Sequence, residues 1–122
     1  MAPVLEKGVS SIDVYFPGEG ESWLDLETHN VYKGGSTVTL PVTMSTVPHF
    51  QRSGTVIVRR ERVRRSAALT LNDPVNIDIF LDSEERKATG MIYLDDGYTY
   101  DYKMGGYIFG NITYNQKLIS YT

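Results

Sequence analysis

The sequence predicts an all-β protein, an antiparallel β-sandwich. Three observations carry the prediction. Apolar residues recur at every second position in short runs, the period of a half-buried strand. Turn-forming clusters separate the runs: Pro17-Gly18, Gly34-Gly35, Asn72-Asp73-Pro74, Asp96-Gly97 and Gly105-Gly106. No stretch sustains the 3.6-residue period of an amphipathic helix. Many short strands with frequent turns bury their apolar faces most simply as sheet on sheet.

The elements follow in order. SIDVYF sets Ile12, Val14 and Phe16 on one face, and a strand over Trp23–Leu26 follows. Val38 and Leu40 alternate with threonines; Ile77 and Ile79 alternate with Asn76 and Asp78. Further strands are expected over Gly54–Val63, Met91–Leu94, Tyr98–Lys103, Tyr107–Tyr114 and Lys117–Tyr121. SEERKATG (Ser83–Gly90) reads as a solvated loop with at most one helical turn. The polar stretch Ser66–Pro74 is the softest boundary. It suggests residues 1–66 as one β segment and 67–122 as the start of a second, or the two packed as one β unit.

Composition narrows the function. A hydrophobic content of 41% with 22% charge is too apolar for a disordered chain. A net charge of −3 argues against general nucleic-acid binding, which needs a basic surface to displace counterions. No apolar run approaches a membrane span, so no membrane insertion is expected. MAPVLEKGVSS lacks the basic-then-apolar layout of a signal peptide. The absence of cysteine excludes disulfides and thiolate metal sites. His29 and His49 lie far apart without supporting ligands, and no phosphate loop, nucleophile elbow or His-containing triad is present. The expectation is therefore no catalytic residue, no metal and no cofactor.

Three motifs carry both a functional and a plain reading. Asp95-Asp96 could be an acid/base couple or a metal clamp, but Asp-Gly between strand-like runs is a strong hairpin signal. Neighbouring residues of a strand also point to opposite faces and do not converge on one atom. Asp95, Asp96 and Gly97 are expected to form a turn. RRERVRR (Arg59–Arg65) could be a polyanion stripe. Consecutive charges fit better on a sheet edge, an extension beyond the sheet, or a docking surface held by bidentate carboxylates. Tyr98, Tyr100 and Tyr102 would share a strand face and could stack on sugar rings, although aromatic residues favour strands for packing alone. Trp23 fits the core better than a sugar platform. Asn111-Ile112-Thr113 is a sequon for N-glycosylation at Asn111.

Taken in order, VYFPGEGESWLDLET, VTLPVTMSTVPHFQRSGTVIVRRERVRRS and MIYLDDGYTYDY resemble the C-terminal β region of family 31 glycoside hydrolases. The likeness is nearest to the neutral α-glucosidase branch that includes the α subunit of endoplasmic-reticulum glucosidase II. It rests on Pro17-Gly18, Trp23 with Asp25, Leu40-Pro41-Val42, and Val47-Pro48 with Phe50, Arg52 and Gly54. It departs at Arg52-Ser53-Gly54, where the family has Arg-Gly-Gly, and at Val58, where it has proline.

The resemblance implies a β support whose (β/α)8 catalytic barrel lies elsewhere in a longer chain, since neither aspartate motif of that barrel is present. The first segment would be a proximal sandwich piece and the second the beginning of a distal one. Arg52 and Gly54 would shape a structural turn. The implied parent is a retaining α-glucosidase that removes terminal α-glucose from glycans in the endoplasmic-reticulum lumen, paired with a non-catalytic β subunit. Separated from its neighbours, such a piece is expected to form homodimers through open strand edges. The alternatives are a stand-alone carbohydrate-binding module using the tyrosines, or an assembly surface using the arginines.

Overall fold

A computed structural model describes residues 1–122. The chain is all-β, as expected, and divides into two compact units. One comprises residues 1–53 with 82–85, the other residues 54–81 with 86–122.

The first unit is a small sandwich. Strands β1 (Ser11–Phe16) and β4 (Ser36–Pro41) pair antiparallel. Strands β2 (Ser22–Asp25), β3 (Val31–Lys33) and β5 (Phe50–Arg52) form a second antiparallel sheet in the order β3-β2-β5. The period-two pattern of β1 points Ile12, Val14 and Phe16 inward with Val38 and Leu40 of β4. On the outer face the cross-strand pair Asp13 and Thr39 share a hydrogen bond of 2.5 Å, donated by the Thr39 hydroxyl.

Phe16, 1% exposed, is the centre of this core. Its ring stacks on Tyr32 at 5.1 Å and meets Phe50 edge-on at 4.8 Å, both favoured aromatic geometries. Trp23 packs here too, 6.1 Å from Phe16, and its indole N–H donates to the Pro17 carbonyl at 3.0 Å. Two residues later, Asp25 turns the chain. Its Oδ1 accepts the N–H groups of Glu27 (2.8 Å) and Thr28 (3.1 Å), and His29 takes a left-handed φ of 61°. The Trp-x-Asp spacing thus alternates one core ring with one turn-nucleating carboxylate.

The second unit is a five-stranded sheet in the order β10-β9-β8-β6-β7. Its strands are β6 (Thr55–Arg59), β7 (Asn76–Phe80), β8 (Lys87–Leu94), β9 (Ile108–Asn115) and β10 (Leu118–Tyr121). Every pairing is antiparallel except a short parallel join of β6 to β8. Val56, Ala88 and Ile112 are buried on one face, with Ile79, Leu81, Ile92 and Tyr114 around them. Residues 54–66 group with this unit because β6 hydrogen-bonds to β7 and β8.

Two expectations are corrected. Residues 87–90 form the first half of β8 instead of a solvated loop. Ala88 is buried opposite Tyr114, so the small residue marks an inward strand position between Lys87 and Thr89. The expected strand over Tyr98–Lys103 does not form; bends lead into a 3-10 turn at Asp101–Met104 that ends at Gly105, φ 89°. Side chains of Asp96 and Thr99 capture the backbone N–H groups a ladder would need. Tyr98, Tyr100 and Tyr102 therefore do not form a strand-face ladder.

Candidate functional site

The residues singled out by their chemistry are spread over both units. In the first unit, Arg52 closes β5 and lies 3.7 Å from Glu21 on the surface. In the second, Gly54 leads into β6 at φ 74°; its N–H donates to Phe80 and its carbonyl accepts from Thr89. Asn111 faces outward in mid-β9 with Thr113, and its backbone pairs with Thr122 at 2.8 and 3.0 Å.

The arginine run leaves the sheet at Arg59 and wraps onto the chain's own acceptors. Arg59 pairs with Asp78 diagonally across the β6–β7 ladder, where Asp78 stands opposite Ile57. Arg60 donates through Nη2 to the Leu71 carbonyl at 3.2 Å, while its Nε is enclosed without a partner. Arg62 approaches Asp73 at 3.6 Å, and Arg64 grips the same carboxylate with two nitrogens. Hydrogen bonding from Arg64 outweighs the opposing effect of burial and holds the Asp73 carboxyl below the usual range, with the charges of Arg64, Arg62 and Arg60 adding to it. The same hydrogen bond raises the Arg64 guanidinium. Asp73 was hidden in the sequence because Asn-Asp-Pro also spells a plain turn.

Asp95 and Asp96 open the connection from β8 to β9, which runs over residues 95–107. The tight hairpin suggested by Asp-Gly is therefore a longer loop, with both aspartates organising its first turn. Asp95 accepts the Gly97 N–H at 2.9 Å and the Tyr93 hydroxyl at 3.1 Å. Asp96 accepts the N–H groups of Tyr98 and Thr99 at 3.2 and 3.1 Å, and the Thr99 hydroxyl as well. The Thr99 side-chain bond first, then the backbone N–H bonds, lower the Asp96 carboxyl. Burial, and then the bond to Asp95, raise the Tyr93 phenol. Tyr93 also stacks on Tyr107 at 5.7 Å, a pair that period-two reading separates because Tyr93 lies near the end of β8 and Tyr107 at the far end of the loop. Tyr100 and Tyr102 pair with each other at 6.3 Å, and Lys103 lies over the Tyr100 ring at 4.9 Å.

These groups can hold a loop and present rings and hydroxyl-binding atoms to solvent. The two neighbouring carboxylates are engaged by different donors, Asp95 by Gly97 and Tyr93 and Asp96 by Tyr98 and Thr99. No cluster of three or more His, Cys, Asp or Glu residues has metal-ligand geometry, and no helix is long and apolar enough to cross a membrane.

Fold and motifs together define an all-β protein built of short, mostly antiparallel strands. The chain belongs to the C-terminal β region of glycosyl hydrolase family 31. Residues 1–57 match the family described as "Glycosyl hydrolase family 31 C-terminal domain". The chain is 42% identical over 101 residues to neutral alpha-glucosidase AB of Homo sapiens, covering 83% of this chain and 11% of that protein. It is 43% identical over 105 residues to a probable glucan 1,3-alpha-glucosidase of Oryza sativa subsp. japonica, covering 86% of this chain and 11% of that protein. Among solved structures it is similar to an ER glucosidase II complex of a catalytic subunit with the binding domain of a regulatory subunit. That match has a TM-score of 0.90 at 32% identity and covers 98% of this chain and 13% of the other. A Flavobacterium johnsoniae family 31 dextranase is similar at TM-score 0.75 and 31% identity, covering 92% and 14%. This chain thus spans about an eighth of the length of such relatives.

Proposed function

We propose that the chain is a non-catalytic β support of a longer retaining α-glucosidase, one that removes terminal α-linked glucose from glycans or α-glucosides. The observation that carries this reading is the likeness to glucosidase II over 98% of the chain, confined to 13% of that protein. The support would act by packing: rigid sheets hold the loops around a catalytic centre in position, the outer-shell role that reaction geometry requires. The proximal and distal β segments divide that work, with Arg52 and Gly54 fixing the turn between strands.

The same likeness supports three extensions. A barrel elsewhere in the longer chain supplies the chemistry, a regulatory subunit is a partner of the assembled enzyme, and the endoplasmic-reticulum lumen is its compartment. Asn111, outward-facing on β9, is a glycan acceptor in that compartment. Where the outer strands β7 and β10 stay open, a second copy pairs along them. A concentration-independent monomer mass by light scattering would overturn the self-pairing.

The test of the main reading is incubation of the purified 122-residue chain with p-nitrophenyl α-glucoside. No hydrolysis above the uncatalysed background is expected. Turnover by pure chain that disappears in Asp96→Asn would sink the proposal.

A further inference from the structure

We propose that the second unit carries a carbohydrate subsite of its own. It is a surface groove between residues 67–71 and the start of the 95–107 loop, built to hold a neutral oligosaccharide. This concerns binding by this unit alone and does not rest on the scaffold reading.

The groove has a volume of about 350 Å³ and is lined by Arg60, Leu71, Tyr93, Asp95, Asp96 and Tyr98, among others. That falls in the range of small-ligand clefts. A pyranose offers a flat face of C–H groups and a rim of hydroxyls that both donate and accept. Recognition therefore needs a ring to stack on, donors, and acceptors. Tyr98 supplies the ring: it is 82% exposed and pairs with no other aromatic residue. Tyr93 forms a second, fixed ring, immobilised by its stack on Tyr107 and its bond to Asp95.

The acceptors are two carboxylates already oriented by the loop's own N–H groups. Two ionised carboxylates offer about eight lone-pair sites, so Asp95 and Asp96 retain capacity after binding the loop. The donor is Arg60. Its neighbours Arg59 and Arg64 are committed to carboxylates, whereas Arg60 makes a single bond to Leu71 and leaves its enclosed Nε unmatched. An enclosed donor without a partner is rare and calls for an explanation; a guanidinium that swings towards a ligand provides one.

Charge selects the ligand class. One guanidinium against two carboxylates leaves the groove net negative, which disfavours phosphates and nucleic acids and suits an uncharged polyol. The proposal also revises which tyrosines matter. Tyr98 lines the groove, while Tyr100 and Tyr102 do not.

The experiment is titration of the isotope-labelled chain with nigerose and maltose, followed through the amide signals of Gly97, Tyr98 and Thr99. Saturable shifts at those amides are expected, with a Kd on the order of 1 mM. Tyr98→Ala should weaken binding by about tenfold or more, since the stacking surface is lost. Tyr100→Ala should leave it within about twofold. Arg60→Leu should weaken binding as well; if that variant misfolds, the exposed Tyr98→Ala change still decides. An absence of saturable shifts, shifts that map elsewhere, or unchanged affinity in Tyr98→Ala would overturn the subsite. So would tighter binding at the same amides of a lysine-rich peptide.

Discussion

Arg64 holds Asp73 in a two-pronged grip, with Nε 2.9 Å from Oδ2 and Nη2 2.6 Å from Oδ1. Nine residues separate them, so the pair closes the basic strap that leaves β6 onto the turn that precedes β7. Parallel N–H···O bonds of this kind fix both planes at once and are stronger than a neutral hydrogen bond. Asp73 is buried, and Arg62 also approaches it, so this carboxylate organises the strap.

Asp73→Asn should therefore loosen the strap and lower the thermal midpoint by several degrees. The pH dependence has a definite sign. The folded pKa of Asp73 lies below its unfolded value near 3.9. Its contribution is fully present above that unfolded value and is lost as pH falls through the folded pKa. Asp25 has the same sign: burial raises its carboxyl, but the N–H bonds of Thr28 and Glu27, the Thr28 hydroxyl and the charge of His49 together lower it further. Melting midpoints should thus fall as pH drops from about 5 towards 2, and less steeply in Asp73→Asn. Equal slopes in the two proteins would refute the assignment.

Phe16 is the strongest single test of the first unit's core. Its ring touches Tyr32, Phe50 and Trp23, and almost none of its surface meets solvent. Phe16→Ala removes the ring and leaves a cavity, a change that costs about 3–5 kcal/mol in other cores. Phe16→Leu keeps much of the volume and should cost clearly less. Denaturant midpoints measure both, and near-ultraviolet dichroism should report the loosened aromatic cluster.

The β9–β10 hairpin departs from the usual turn chemistry. Asn115 pairs with Leu118, so Gln116 and Lys117 are the two loop residues, with φ of 43° and 75°. Positive φ at both positions favours Asn-Gly, because a Cβ crowds the left-handed region. Lys117→Gly should stabilise the protein by about 1 kcal/mol, and Lys117→Val should destabilise it. Denaturant unfolding would show the opposite signs.

The alternating runs made β1, β4 and β9 legible in the sequence, since each has one inward and one wet face, while β7 and β10 were legible as short apolar runs between turn signals. The short strands Val31–Lys33 and Phe50–Arg52 were not, because three residues are too few to display a period. The strand Thr55–Arg59 was visible, but its end was hidden: no turn signal interrupts the run up to Val63, while the chain has already turned towards Asp73. The tyrosines misled for a different reason. Tyr98, Tyr100 and Tyr102 alternate perfectly, yet Asp96 and Thr99 satisfy the local backbone and remove the reason to form a ladder. For the candidate groove, Asp95, Asp96 and Tyr98 could be named in advance. Arg60 and Tyr93 could not, because only the folded chain brings them beside the loop.

Two glycines of the second unit should respond to alanine for different physical reasons. Gly90 sits in mid-β8 at an ordinary strand φ, so its backbone suits any residue. Space is what it lacks: an added Cβ would lie 2.8 Å from the Val56 Cβ and closer still to the Val56 carbonyl oxygen. Strand β6 joins β8 at this point through few hydrogen bonds, so the clash would strike the weakest join of the sheet. Gly97 is the reverse case, with φ 76° and no atom within 4 Å of an added Cβ. There the cost is backbone strain alone, about 1–2 kcal/mol. Gly90→Ala should cost about 3 kcal/mol, at the upper end for overpacking. It should also speed hydrogen exchange along β6 and β8, whereas Gly97→Ala should leave the sheet amides protected. If Gly97→Ala proved the more damaging change, or if Gly90→Ala left β6 protection intact, the close approach of these two strands would not be what glycine is there to permit.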